Sequence, residues 1–413
     1  MFPKLLCFKG ANGRRKWTMN RKMNGLVPRY IYAGSYTSPH FAPGAPNPSQ
    51  GTGISVYKML DTGELELASE VATENPSSLA INSDKTFLYA VNELGVDEGS
   101  NPLGSVTAFA VDAETGGLSV LNQRPTQGGW PCHCSVHPFG RHLIAANYGT
   151  GDYPVFPIAS DGRLGTATFI AKGEGSGPDT ARQSGPHAHM VLSDPQANRV
   201  YGVDLGADRV LSWDFDEDTG RLTASKLPFV QTASGCGPRH MVFSDDGCNA
   251  FVLNELSSTV DLFDVDPETG FFIWRQTVST LPEDCTLKRP VFDPENPGFI
   301  PEGTNTGAEI RLHPSGKWLY TTNRGMNTVA QFEVDADSRE LRLVDVTDSK
   351  GDCPRGMIID PEGHVLIVGN QNTNSIAVFA IDAQTGQLGN PIQVLDAPTP
   401  VDFVFGAKVE PTP

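Results

Sequence analysis

Hydrophobic residues along this chain fall in short runs broken by Gly, Asp, Asn or Pro, and within many runs apolar and polar positions alternate. Alternation of period two marks strands with one face buried, and clustered turn formers between them mark hairpins. One run recurs seven times: an apolar strand that ends in a polar or small residue. It reads Phe87-Leu-Tyr-Ala-Val-Asn92 and His142-Leu-Ile-Ala-Ala-Asn147, then ends again at Asp204, Asn254, Asn323 and Asn370, with an earlier relative at Tyr30-Ile-Tyr-Ala-Gly34. The spacings range from 47 to 69 residues, near 55 for most copies.

Each copy carries four strands. A short one comes first, at Ser78–Asn82, His133–Pro138, His187–Ser193, Arg239–Ser244, Ala308–Pro314, Arg355–Asp360 and Val401–Phe405. The recurrent run is second, and an alternating strand such as Ser105–Val111 or Ser375–Ile381 is third. A turn of the form Asp-x-x-Thr-Gly (Asp112–Gly116, Asp216–Gly220, Asp266–Gly270, Asp382–Gly386) leads to the fourth. No run has a helical period. The repeat predicts an all-β fold, a seven-bladed β-propeller with four antiparallel strands per blade. The chain enters on a second strand, Tyr30–Ser35, and finishes on an unaccompanied first strand, Val401–Phe405. Both termini are therefore expected to build the last blade together, which leaves no open sheet edge. One propeller domain is expected over residues 30–413, with an insertion loop at 281–307.

Composition narrows the function. The chain has 31 basic and 48 acidic residues, a net charge of −17. Residues 1–29 hold eight of the basic residues and no acidic one, so the remainder carries −25. A body so acidic repels phosphate backbones, and no basic stripe interleaves with aromatics, so nucleic acid is excluded as a partner. No apolar run is long enough to span a membrane. Residues 1–29 read as a disordered basic extension; being Arg-rich and free of acid, they also fit a mitochondrial transit peptide. Seven scattered cysteines, an odd number, point to a reducing, cytosolic compartment. A monomer or dimer is expected.

In an antiparallel blade the start of the first strand lies beside the end of the second, so both open onto one face around the central channel. Those two places are unusually polar here. First strands start with Pro131-Cys132-His133, Pro186-His187-Ala188-His189, Pro238-Arg239-His240, Ala308-Glu309 and Pro354-Arg355. Second strands end with Asn92-Glu93, Asn147-Tyr148, Asp204, Asn254-Glu255, Asn323-Arg324 and Asn370-Gln371. A repeated Pro or Asn can serve turns alone. Several charges aimed at one confined mouth are costly unless they pair or bind something. Competing motifs are weak: Gly173-Glu-Gly-Ser-Gly177 precedes no helix, Cys132-His133-Cys134 lacks a second ligand pair for zinc, and no Gly-x-Ser-x-Gly elbow occurs. Glu93, Glu255 and Glu309 with Asn92 and Asn147 form an oxygen-rich set that could hold Ca²⁺.

These residues also carry a resemblance. Gly237-Pro-Arg-His-Met-Val-Phe243 followed by Asn254-Glu-Leu-Ser-Ser-Thr-Val-Asp261 resembles the lactonase family of seven-bladed propellers. Supporting matches are Gly185-Pro-His-Ala-His189, Ala308-Glu-Ile310, Leu319-Tyr-Thr-Thr-Asn-Arg-Gly325, Pro354-Arg-Gly356 and Gly369-Asn-Gln371. That family includes propeller-type 6-phosphogluconolactonases and, more distantly, carboxy-muconate lactonising enzymes. The resemblance implies site residues at His189, with His187 beside it, Arg239, Glu255 and Arg324, and a small-molecule lactone or sugar acid as ligand.

Opening a lactone needs an activated water, a donor for the developing oxyanion and a hold on the rest of the substrate. A His of near-neutral pKa steered by a carboxylate can take the water proton, which assigns His189 and Glu255 as a base pair. Arg239 and Arg324 offer forked donors to the oxyanion. His187, His133, His240, Glu309, Arg355, Asn370 and Gln371 are expected to contact substrate. This chemistry needs no metal or organic cofactor. Two other readings stand beside it, a muconate-type cycloisomerase and a non-catalytic binding propeller.

Overall fold

The computed structural model describes residues 8–9, 15–16, 23, 25–38, 51–97, 99–291 and 299–409. Its architecture is all-β; among the described residues there is no helix, and so none long and apolar enough to cross a membrane. Seven four-stranded antiparallel sheets follow one another around a ring. Blade I combines both ends of the chain, Pro400–Lys408, Arg29–Ser35, Gly53–Met59 and Leu65–Ala72. The inner strands of blades II to VII are Leu79–Ile81, Pro131–Val136, Ala188–Ser193, Pro238–Phe243, Thr306–Leu312 and Pro354–Ile359. In blade I the register pairs Ile31 with Phe405 and Ala33 with Phe403. The packed region reaches back before Tyr30: Leu26 is buried against Val365 and Ile367 of blade VII, Met23 packs on the same cluster, and Arg29 pairs with Lys408. Phe8–Lys9 and Arg15–Lys16 form a separate two-stranded pair.

Burial follows the strand order. Second and third strands are almost wholly buried, whereas outer strands alternate, as in Leu65–Ala72 and Phe272–Ser279. The apolar residues of adjacent blades interdigitate: Phe251, Leu253 and Leu262 of blade V pack on Ile310, Leu319 and Phe332 of blade VI. Each Asp-x-x-Thr-Gly turn closes on itself. Asp112 accepts from the Glu114 and Thr115 amides, and Gly116 follows at φ +68, a conformation that glycine adopts without strain. Tyrosines lock the turns to the neighbouring blade, Tyr32 to the Gly116 carbonyl, Tyr201 to that of Gly270 and Tyr320 to that of Gly386.

The repeated asparagines explain themselves in the same way. Asn92, Asn147, Asn323 and Asn370 are fully buried, and each donates its amide to a carbonyl just beyond the outer strand of the preceding blade: Glu74, Thr126, Thr280 and Ser349. They are clasps between blades. Asn370, expected to touch substrate, commits its amide to such a clasp.

Candidate active site

One backbone device builds the mouth. In blade III the ladder skips between Pro131 and His133, in blade IV between Ala188 and Met190, in blade V between Pro238 and His240, and in blade VII between Pro354 and Gly356. The bulged residues are Cys132, His189, Arg239 and Arg355. Blade VI shifts between Gly307 and Ile310, which frees Ala308 and Glu309. A β-bulge re-aims the residue it leaves unpaired, and here the re-aimed residues share the central axis.

Glu255 is the hub. Its Oε1 accepts from Arg182 Nη2 at 2.6 Å, and its Oε2 accepts from Arg239 Nε at 3.0 Å and Arg324 Nη2 at 2.9 Å. Burial alone would raise this carboxyl, but Arg324, Arg182 and Arg239 outweigh it and hold the group well below the usual carboxylate range. Arg239, 3% exposed, also donates through Nη1 to the Ala308 carbonyl and lies 3.3 Å from His240 Nε2. Burial, with Arg355 and Arg324 nearby, lowers its pKa to about 10. Across the mouth Glu93 accepts from the Tyr36 hydroxyl at 2.9 Å, and Arg355 lies over the Tyr36 ring at 5.3 Å. Burial raises the Glu93 carboxyl, against the pull of Arg355.

The expected base pair of His189 and Glu255 does not form a hydrogen bond in this arrangement, because three guanidiniums occupy the carboxylate. His189 instead sits edge-on to Tyr148 and to His240, with ring centroids 5.6 and 5.2 Å away, and its Nδ1 is 3.8 Å from Cys132 Sγ. Its pKa is not near neutral either. Burial, then Arg239 and His240, push it well below the ordinary value, so the imidazole is neutral at pH 7. Cys132 is no rival nucleophile, since burial pushes its thiol up and it donates to the Ala188 and His189 carbonyls.

Other expected residues divide by depth. His187 is at the rim, stacked on Tyr148 at 4.5 Å and donating from Nδ1 to the Tyr148 carbonyl at 2.8 Å. Gln371 is buried and donates to Asn372. His133, His240 and Glu309 line a chamber of about 70 Å³ beside Arg239 and Arg355, with Arg311 and Asp402 completing its polar wall. There the His240 Nδ1 is 3.2 Å from both Glu309 oxygens, and Arg311 is 3.3 Å from Oε1. The mouth's His–carboxylate pair is thus His240–Glu309. The three glutamates each have their own partners and do not converge as a Ca²⁺ cage would require. Among the described residues no three His, Cys, Asp or Glu side chains converge as metal ligands.

Arg182 carries no signal in the strand pattern. It lies in the connection between Phe169–Lys172 and Ala188–Ser193, away from any strand end, and only its closeness to the Gly185-Pro-His-Ala-His189 motif hinted at it. Asp179 accepts from the amides of Ala181 and Arg182, and Gln183 is wholly buried, donating to the Leu205 carbonyl and Asp208. Arg289 of the insertion loop pairs with Asp179 and so braces the turn that delivers Arg182.

Residues 30–405 match the family described as a lactonase with a seven-bladed β-propeller. The chain is 32% identical over 340 residues to a 6-phosphogluconolactonase of Bacillus subtilis, covering 81% of this chain and 86% of that one. It is 30% identical over 311 residues to a 6-phosphogluconolactonase of Serratia proteamaculans, covering 75% and 82%. The solved structure of a periplasmic gluconolactonase of Pseudomonas aeruginosa superposes with a TM-score of 0.81 at 30% identity, covering 92% of this chain and 99% of that one.

Proposed function

The chain belongs to the lactonase family of seven-bladed β-propellers, and from that premise we propose that it hydrolyses 6-phosphogluconolactone to 6-phosphogluconate without a metal ion. One observation carries this reading. Four guanidiniums (Arg182, Arg239, Arg324 and Arg355) crowd the mouth of a chain whose net charge is −17. Three of them share Glu255. Arg355 lies over the Tyr36 ring and feels the charge of Glu93, but it makes no direct hydrogen bond or ion pair among the described residues, which leaves its donors open to an anion. A forked, always-charged donor suits a phosphate.

Water attacks the lactone carbonyl while neutral His189 takes its proton. Arg239 and Arg324 face the carbonyl oxygen and stabilise the oxyanion as it forms, the role a metal would otherwise fill. The ring C–O bond then breaks, His189 returns the proton to the leaving ring oxygen, and the new carboxylic acid loses its own proton to solvent. The test is hydrolysis of 6-phosphoglucono-, glucono- and muconolactone with and without chelator, the spontaneous rate subtracted. The phosphorylated lactone is expected to be turned over fastest, unaffected by chelator. Preference for muconolactone, loss of activity with chelator, or no acceleration of any lactone would each overturn the proposal.

A further inference from the structure

The pair formed by His240 and Glu309 has no substrate role in that chemistry, yet both residues are buried and directly paired. Glu309 is 3% exposed. Its Oε1 accepts from the Ile310 amide at 3.0 Å and lies 3.3 Å from Arg311 Nη1, while both oxygens face His240 Nδ1. A carboxylate can only accept, so the ring proton of His240 sits on Nδ1 and Nε2 is left as an acceptor. That acceptor lies 3.3 Å from Arg239 Nη1. The other Nη1 hydrogen goes to the carbonyl of Ala308, the residue bulged beside Glu309. With Nε committed to Glu255, three of the five guanidinium hydrogens are fixed and the two on Nη2 have no partner among the described residues.

We propose that His240 is a positioning residue: Glu309 fixes its tautomer, its Nε2 accepts from Arg239, and the bulge of blade VI thereby aims the guanidinium of blade V at the substrate. This rests on the lactonase reading for its kinetic consequence, but not for its structural one. Protonation would undo the device, because an Nε2–H would then confront a guanidinium N–H. Groups facing His240 are Glu309 and Arg311 from blade VI, Arg239 on its own strand, His133 from blade III, His189 from blade IV and Arg355 from blade VII. Burial and the cations among them favour the neutral ring.

Two measurements test the proposal on the full chain. Nitrogen NMR of ¹⁵N-histidine-labelled protein at pH 7, with the His240 signals assigned by their loss in His240→Gln, should show Nδ1 protonated and Nε2 bare. The opposite tautomer or a doubly protonated ring overturns the proposal, whether or not any lactone is hydrolysed. Kinetically, His240→Leu should lower kcat about 10²-fold, the scale on which a small misplacement of a catalytic group acts, with KM nearly unchanged. His240→Gln, whose amide oxygen can replace Nε2, should recover most of that loss. In an Arg239→Ala background His240→Leu should cost almost nothing further, since residues acting through one another are non-additive. Equal losses in the Leu and Gln variants, or a full loss without Arg239, would overturn the proposal. If His240→Leu does not fold, Glu309→Ala against Glu309→Gln gives the same comparison. A tautomer as expected in a protein that hydrolyses no lactone would sink the function and leave the positioning device standing.

Discussion

Blade V and blade I use one backbone feature to different ends. In both, the inner strand bulges at its first turn, between Pro238 and His240 in blade V and opposite Gly34 and Ser35 in blade I. Blade V places Arg239 at the bulge, and the charge is held by Glu255, the Ala308 carbonyl and His240. Blade I places Val401 there, 4% exposed, in a strand that also buries Phe403 and Phe405. Geometry is common to the two blades; only the side chain decides whether the position serves chemistry or closure. The mouth is thus written over a backbone common to the blades, so a substitution at the mouth should spare the fold, whereas loss of the closing strand, which also supplies Asp402 to the chamber wall, should cost both.

Removing residues 400–413 should have the largest effect. Burying Val401, Phe403 and Phe405 is worth roughly 5–9 kcal/mol, as much as the whole stability of many domains. The truncated chain is expected to lack a cooperative thermal transition near that of the parent. Removing residues 1–22, by contrast, should leave the melting temperature unchanged, because the described packing starts with Met23 and Leu26. A shared melting temperature for the first deletion and the parent would refute the closure.

Substitution at His189 should do the opposite, sparing the fold and costing the chemistry. His189→Ala should melt close to the parent but lose about 10²–10⁴-fold in kcat, the usual worth of a general base. Because burial keeps His189 neutral at pH 7, the parent's rate should be flat through neutrality and fall only in acid. Stability should follow the same direction. The unfolded chain takes up protons near the ordinary histidine value of 6.5, whereas burial holds folded His133 at about 4. Stability is therefore full above about pH 6.5 and lost as the pH falls towards 4. An inflection of kcat near pH 7 that vanishes in His189→Ala would restore the neutral-range base and contradict this assignment.

The contrast between scaffold and mouth also explains what could be read in the sequence. Period-two alternation and the 55-residue repeat reveal the blades, because every copy must bury the same faces. The strand ends reveal His189, Arg239, Glu255, Arg324 and Arg355, since the topology alone brings those places to one face. Partnerships were hidden. Glu255 is adjacent in pattern to His189 but is claimed in space by three arginines, one of them, Arg182, on an irregular connection with no periodic signal. Bulges were hidden too, since one extra residue leaves no mark on a short strand. Asn370 looked like Gln371's companion at the mouth, yet its amide reaches the Ser349 carbonyl as part of a clasp repeated in other blades.

A guanidinium left over from the Glu255 cluster, that of Arg355, is proposed to recognise the substrate's phosphate. The most direct test is the ratio of kcat/KM for 6-phosphogluconolactone to that for gluconolactone, measured in the parent and in Arg355→Gln. A charge-assisted bond to a phosphate is worth roughly 1.5–3 kcal/mol, so the parent should favour the phosphorylated lactone and the variant should lose about 10- to 100-fold of that preference while still hydrolysing gluconolactone. The same ratio in both proteins would contradict the account.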